Sequence, residues 1–218
     1  MSLPRHHPDH EHLLDYASGA LAEPFAALIA AHLTYCPHCR RTVEAFDAIG
    51  GSMIEQAIPV ALSAGALDRA MAALDRPTVV LPTQNLPVGI LPVLPRPVAA
   101  YMARSIKPAR WRRLLPGFDQ IDASPVDGPY RARLMRIQPG HAMPRHTHDG
   151  LEMLVVLDGA YHDETGEYGR GDVAIADPTL VHKPIADGKL GCVCFAVCDA
   201  PLRLAGPFGR ILNLFVRY

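Results

Sequence analysis

Apolar residues in the first 75 positions recur every three or four residues, which is the period of one face of an α-helix. Asp9 can cap a helix that passes through Leu13 and ends at Gly19. Pro24 suits the first position of a second helix, which we expect to extend to about Tyr35, because proline lacks an amide hydrogen that the first turn does not use. The chain is therefore predicted to begin with a helical module.

Two further amphipathic helices are predicted before residue 76. One follows Cys39, with apolar positions at Val43, Phe46, Ile49 and Met53. The other has an apolar stripe formed by Leu67, Ala70, Met71 and Leu74. A stripe this short either packs against its own domain or contacts a partner protein, and spacing alone leaves both interpretations open.

Beyond residue 98 the apolar pattern changes to short runs, several of them alternating, bounded by Gly, Pro and Asp. We expect strands at 131–138, 151–158, 173–176, 191–198 and 211–216. Many short strands separated by turns are typical of an all-β barrel or sandwich.

A proline-rich segment separates the region with the helical pattern from the region with the strand pattern. Six prolines occur between residues 76 and 98, in a stretch with almost no charge, and proline disfavours both regular helix and central strand. We therefore predict a two-domain protein, with an all-α domain at 1–75, a linker at 76–97 and an all-β domain at 98–218.

Composition and charge exclude several classes of protein. With 218 residues, 49% of them hydrophobic and 20% charged, the chain is an ordinary globular protein rather than a collagen, coiled coil or disordered chain. Its net charge of −1 argues against direct binding to nucleic acid, which requires a basic surface. Residues 1–75 contain nine acidic and four basic side chains, so the helical module carries a net charge of −5.

The compartment is predicted from the N-terminus and the cysteines. The chain begins without a signal-peptide pattern, and no stretch approaches the roughly 20 apolar residues of a membrane span. Five cysteines, divided between a CxxC pair and a later cluster, do not resemble a disulfide framework. We expect a cytoplasmic protein that does not bind a membrane.

The first candidate metal site is a HxxxCxxC motif formed by His32, Cys36 and Cys39. Residues four apart on a helix share a face, so His32 and Cys36 can address one ion, and Cys39 can join them from the next turn. Structural zinc requires a fourth ligand. The N-terminus offers His6, His7, His10 and His12 for this role. A redox-active cysteine pair is the alternative interpretation.

The second candidate metal site lies in the predicted β domain. His146 and His148 share one face of a strand, and Glu152 regains that face after the Asp149-Gly150 turn. His182 is the natural fourth ligand from a later segment. Three imidazoles and a carboxylate suit zinc, manganese, iron, nickel or copper. The cluster of Cys192, Cys194 and Cys198 is interpreted as small buried apolar residues.

Gly140 to Gly159, GHAMPRHTHDGLEMLVVLDG, resembles the first signature motif of the cupin superfamily, and Gly171, Pro178 and His182 follow the order of the second. HxxxCxxC after an N-terminal histidine resembles the zinc-binding anti-sigma domain. The two in this order resemble the ChrR family of anti-sigma factors over essentially the whole chain. The resemblance implies that a structural zinc is bound by His7, His32, Cys36 and Cys39. It also implies that a second metal, zinc or another divalent transition metal, is bound by His146, His148, Glu152 and His182 in a cupin jelly roll.

The resemblance also implies the function. Members of this family hold a sigma-E-type extracytoplasmic-function (ECF) sigma factor in an inactive one-to-one complex, with the N-terminal helices blocking core RNA polymerase. Singlet oxygen or organic hydroperoxides release the sigma factor, and the cupin domain is implied to be the metal-containing sensor.

Two alternatives remain at this stage. A metal-dependent cupin enzyme, a dioxygenase or an isomerase, would use open coordination positions of the second site. A thiol switch would eject the first metal on cysteine oxidation, but the related proteins that do this use an additional nearby cysteine, and residues 1–75 contain only Cys36 and Cys39.

Overall fold

The computed structural model describes residues 3–76, 94–104, 110–124 and 129–205. Its helices are α1 (His10–Ala17), α2 (Glu23–Tyr35), α3 (Pro37–Glu55), α4 (Ala66–Leu74) and α5 (Arg96–Ala103). Its strands are β1 (Arg112–Leu115), β2 (Phe118–Asp122), β3 (Arg131–Ile137), β4 (His146–His148), β5 (Glu152–Asp163), β6 (Gly166–Gly169), β7 (Val173–Ala176), β8 (Ile185–Ala186), β9 (Cys192–Cys198) and β10 (Leu202–Leu204). Helices precede antiparallel strands, and the predicted order of an all-α and an all-β part is confirmed.

The first three helices begin and end close to the expected residues. Asp9 occupies the N-cap position of α1, although its side chain makes no capping hydrogen bond, and Pro24 lies in the first turn of α2. The start expected for α3, after Cys39, is wrong by three residues, because α3 begins at Pro37. Cys36 is the cap of α3, because its Sγ accepts a hydrogen bond from the Cys39 amide, and Pro37 fills the first position.

The last two helices differ in their surroundings. All residues of α4 lie outside the buried core, with Leu67 70% and Leu74 75% exposed, so the interpretation that its stripe packs on its own domain is wrong. The sequence did not predict α5, which begins inside the segment expected to be a linker. It packs against α2 through buried Val98 and Met102.

The strands form one eight-stranded sheet and one pair. The sheet has the order β1-β2-β3-β9-β5-β6, with β7 and β8 also paired to β5, and β4 pairs with β10. All pairings are antiparallel. We call this part, residues 110–205, the β domain.

Four of the predicted strands are present as β3, β5, β7 and β9. The end expected for β5 at residue 158 is wrong, because a register shift between Val156 and Asp158 lets the strand continue to Asp163 and pair with β6 and β8. The strand expected at 211–216 lies outside the described residues. The strand expected to carry His146 and His148 is present as β4. The five other strands were not predicted, since they span only two to five residues.

Two layers of buried residues position the metal clusters. One layer lies between the helices and the sheet, and it joins Phe25 and Leu28 of α2 to Val155 and Phe195 of the sheet. The other lies on the opposite face of the sheet, where Val156 contributes from the same strand, β5. The helices therefore share a core with the β domain, and the Phe25 ring meets Tyr130 edge to face at 5.6 Å.

Candidate metal centres

The first metal cluster lies where α2 ends and α3 begins. Cys36 is the residue between the two helices, Cys39 lies in the first turn of α3, and His32 is in the last turn of α2. The N-terminal residues pass this junction, and His7 Nδ1 lies 3.4 Å from the Cys36 Sγ and 3.5 Å from the Cys39 Sγ. One donor atom from each of the four residues lies within 4.8 Å of the others.

The hydrogen bonding of His32 fits a metal ligand. Its Nδ1 donates to the carbonyl oxygen of Gly171 at 2.6 Å, which leaves a lone pair on Nε2. That Nε2 atom is buried and has no hydrogen-bond partner within the described part of the chain. A fixed tautomer with a free, buried nitrogen beside two sulfurs is the donor arrangement that zinc prefers.

The ionisation of these side chains also fits a cation. Burial lowers the pKa of His32 to about 4, so its imidazole is neutral near pH 7. Burial, together with the neighbouring Cys36, raises the pKa of Cys39 to about 12. A thiolate at this position therefore needs a positive charge beside it, and a bound zinc ion would supply one.

The structure separates His7 from the neighbouring His6. The His6 ring turns away from the cysteines, stacks on Tyr168 at 4.3 Å and has its Nε2 3.0 Å from the carbonyl oxygen of Glu167. His7 is the residue of this pair whose ring nitrogen joins the cluster.

The second metal cluster is formed by β4, the start of β5 and the segment that contains His182. His146 and His148 are the ends of β4, and Glu152 begins β5 after a short turn. His182 is placed by backbone hydrogen bonds of 3.0 Å in both directions with His146. The His182 Nε2 lies 3.1 Å from the Nε2 of His146 and 3.3 Å from that of His148.

The tautomers of this second cluster are fixed by its surroundings. His146 Nδ1 donates to the carbonyl oxygen of Pro144 at 2.8 Å, and His182 Nδ1 lies 2.8 Å from a carboxylate oxygen of Asp163. With both Nδ1 atoms donating, the Nε2 lone pairs of these two residues face each other. A cation between them would remove this repulsion, and Glu152 Oε2, 3.5 Å from the His148 Nε2, would complete the ligand set.

Burial keeps the second cluster in its metal-binding form. It lowers the pKa of His146 to about 4 and that of His148 to about 4. Both imidazoles are therefore neutral and available as ligands at pH 7. The donor set contains no sulfur, which distinguishes it from the first cluster.

A cavity borders the second cluster. His146, Glu152 and His182 line one side of it, and the other side is lined mainly by apolar side chains, among them Phe118, Met135, Ile137, Met143, Leu154 and Tyr161. Its empty space is about 750 Å³ when the part open to solvent is included. In the first cluster His32, Cys36 and Cys39 are buried and His7 is not, whereas in the second cluster the three histidines are buried and Glu152 borders the cavity.

Two residues around the clusters were missed by the sequence analysis. Asp163 contacts His182 from 19 residues away, and Gly171 contacts His32 from 139 residues away. Neither belongs to a spacing pattern with the ligand it contacts, so only the fold shows their role. Cys192, Cys194 and Cys198 are buried free thiols of β9, as expected for small apolar residues.

In the described part of the chain, no helix has the length and apolar character needed to cross a membrane.

Comparison with known proteins agrees with this architecture. The family model of the ChrR cupin-like domain matches residues 103–200. The anti-sigma-E factor ChrR of Cereibacter sphaeroides is 42% identical over 213 residues, which cover 98% of each chain. The crystal structure of Rhodobacter sphaeroides SigE in complex with the anti-sigma ChrR matches with a TM-score of 0.75 and 42% identity, over 89% of this chain and 99% of that one. The match to the anti-sigma-E factor covers nearly the whole chain, and the chain therefore belongs to the ChrR family of anti-sigma factors.

Proposed function

We propose that this protein is an anti-sigma factor that binds a sigma-E-type ECF sigma factor in a one-to-one complex and keeps it from core RNA polymerase. The relative with the same architecture is seen in complex with SigE. The observation in this chain that carries the proposal is a large exposed apolar surface on the helical part.

This exposed apolar surface follows the end of α3, the segment after it and α4. Its residues are Ile49, Met53, Ile54, Ile58, Val60, Leu62, Leu67, Met71 and Leu74, each at least 57% exposed. A contiguous run of large apolar side chains in water is unfavourable, and such patches mark protein interfaces. Six of these residues lie on α3 and α4, as in complexes in which an amphipathic helix binds a groove of its partner.

Charge supports a protein partner with basic surfaces. The net charge of −5 on residues 1–75 would attract such a partner and raise the association rate. The overall charge of −1 gives no basis for direct nucleic-acid binding, so we assign none. A sigma factor acts with RNA polymerase in the cytoplasm, and the proposal places this chain there.

The two metal clusters receive different roles in the proposal. His7, His32, Cys36 and Cys39 would hold a structural zinc that fixes the N-terminus to the α2–α3 junction. His146, His148, Glu152 and His182 would hold zinc or another divalent transition metal. Bound there, the ion would supply a Lewis-acidic centre beside the cavity.

We assign the sensing of singlet oxygen and related oxidants to the second cluster. The supporting observation is the cavity, which is partly open to solvent and is lined by His146, Glu152 and His182 of this cluster. We retain the division into residues 1–75, 76–97 and 98–218 as part of the proposal. In this division the first unit inhibits the sigma factor and the last unit controls release.

A metal-dependent cupin enzyme is the second candidate function. The cavity beside His146 and His182 is the observation that favours it. Against it, the chain matches a regulator along its whole length, including helices that a small-molecule enzyme does not require.

Co-expression with a sigma-E-type sigma factor from the same source tests the proposal. We expect both proteins to co-purify and to form a one-to-one complex by size-exclusion chromatography with light scattering. If the two folded, zinc-containing proteins elute separately, the anti-sigma assignment is rejected, and turnover of a small molecule would favour the enzyme.

A further inference from the structure

The backbone of the N-terminal arm, residues 5–7, is hydrogen-bonded to the β domain. The backbone amides of Arg5 and His6 both donate to Asp172 Oδ1, at 2.5 and 2.9 Å, and the Val173 amide donates to the carbonyl oxygen of His6 at 3.1 Å. Asp172 is only 3% exposed, so these bonds are shielded from water. The β domain therefore sets the position of His7, the next residue and a predicted ligand of the first metal.

The same corner of the β domain also positions His32. The turn between β6 and β7 brings the Gly171 carbonyl to the His32 Nδ1. A side chain at Gly171 would lie 2.8 Å from the Tyr35 Cβ and 2.9 Å from the Pro4 Cγ, and its φ of +89° favours glycine. His7 and His32, two of the four donors of the first cluster, are thus oriented by residues of the β domain. Hydrogen-bond partners outside the ligand set commonly orient histidines in metal sites in this way.

The second cluster is connected to this corner by a series of side-chain contacts. Asp163 accepts from His182 and also from the Thr165 hydroxyl, at 2.5 Å. The Thr165 hydroxyl lies 2.8 Å from the Tyr168 hydroxyl, and the Tyr168 ring stacks on His6. All three intermediate residues belong to the β5–β6 hairpin or its turn, so one rigid element touches a ligand of one cluster and the arm of the other.

We propose that the β5–β6 hairpin couples the two metal sites, with Asp163, Thr165 and Tyr168 as positioning residues. When the second site loses its metal or rearranges, His182 and Asp163 shift. The hairpin then loosens its hold on the arm that supplies His7, and the first site retains zinc less well. The inference rests on the proposal that both clusters bind metal and is independent of sigma binding.

The test measures zinc release from the full-length protein with a chromogenic chelator, after metal content has been determined by mass spectrometry. Replacing His146 and His148 with Ala removes the second site. We expect this double variant to release first-site zinc about fivefold faster than the parent, the size of effect of one lost hydrogen bond.

The Thr165→Val variant tests whether the β5–β6 hairpin connects the two metal clusters. It removes the hydroxyl that links Asp163 to Tyr168, and we expect it to accelerate first-site release by a similar factor. Combined with the loss of His146 and His148, it should add little further acceleration, because both changes break the same connection. A residue that only supports the fold would give additive effects.

Thr179→Val is a matched control. The amide and the hydroxyl of Thr179 both donate to Asp177 Oδ1, at 2.8 and 2.6 Å, as those of Thr165 do to Asp163 Oδ1. His182 bonds to Asp163 and not to Asp177 in the described part of the chain. This variant should release zinc at the parental rate. Circular dichroism verifies that each variant is folded.

Three outcomes decide the matter. The coupling is supported if zinc release is faster in the His146/His148 double variant and in Thr165→Val, and if the combined variant releases zinc little faster than either. A parent with two metals whose first-site release is unchanged by both variants, or changed additively, overturns the coupling alone. A folded parent with fewer than two metals overturns the metal assignment and the coupling with it.

Discussion

Single hydrogen bonds determine which nitrogen each buried histidine offers. In His32, His146 and His182 the Nδ1 atom is engaged by an oxygen of the protein, and Nε2 points into a cluster. This arrangement is costly without a positive charge, because neutral lone pairs face each other or face thiols. Spacing predicted His32, His146 and His148 as ligands, whereas His7 was chosen from four N-terminal histidines only by the family resemblance. Asp163 and Gly171 were not predicted, because only the fold brings them near.

Replacing Cys39 with Ala should prevent zinc binding at the first cluster and unfold the junction of α2 and α3. The side chain is 1% exposed, and it completes a cluster in which metal binding and local folding are linked. Zinc content and thermal unfolding of the full-length protein measure the effect. Cys198→Ala, at a buried thiol of β9, is the control and should keep its zinc. A Cys39→Ala protein with full zinc content would show that Cys39 is not a ligand of the first zinc.

Acid should weaken the folded state between pH 6.5 and about 4. Burial lowers the pKa of His32, His146 and His148 to about 4, from an ordinary value of 6.5. The unfolded chain therefore takes up more protons than the folded chain in this range, and the free energy of unfolding falls as pH falls through it. Proton competition for the metal ligands acts in the same direction.

Thermal unfolding midpoints measured across this range test the acid effect. The variant lacking His146 and His148 should show a smaller decrease, because two of the histidines whose pKa is lowered are gone. Equal pH dependence in parent and variant would contradict the assigned cause.

At the scale of elements, periodicity predicted those that bury one face. Helices α1 to α4 and strands β3, β5, β7 and β9 each repeat apolar residues at the period of their structure. Helix α5 was missed because Pro95 and Pro97 indicate a linker, although both lie at a helix start, where proline is tolerated. Strands as short as β8 and β10 were missed because two or three residues carry no period.

Leu67→Glu in α4 should weaken sigma binding by about tenfold or more, as for a central residue of an apolar interface. Zinc content and helicity should not change, because Leu67 is 70% exposed and supports no core. Calorimetric titration with the sigma factor measures the affinity. Ala72→Glu is the matched control, since it places the same charge on the opposite face of α4. Equal affinity of the Leu67 variant and the parent would exclude α4 from the interface.

At the scale of the whole molecule, inhibition and sensing are assigned to different parts that share a core. Residues 1–75 contain all four donors of the first cluster and the whole exposed apolar surface. Expressed alone, they should bind one zinc and inhibit the sigma factor. They should also release zinc faster than the full chain, since Gly171 and Asp172 are then missing. A zinc-loaded fragment without inhibitory activity would contradict the division.

Release should require the second cluster. The variant lacking His146 and His148 should keep its first zinc in the absence of chelator and should still bind the sigma factor, because neither residue lies on the exposed apolar surface. It should no longer release the sigma factor on illumination with a photosensitiser. Release equal to that of the parent would remove the second metal from the sensor.

Transcription in vitro tests the central claim most directly. Purified core RNA polymerase and a sigma-E-type sigma factor from the same source transcribe a cognate promoter while this protein is added in increasing amounts. We predict that transcripts disappear near one equivalent of protein to sigma factor. Undiminished transcription in the presence of a large excess of folded, zinc-containing protein would contradict the claim that this chain is an anti-sigma factor.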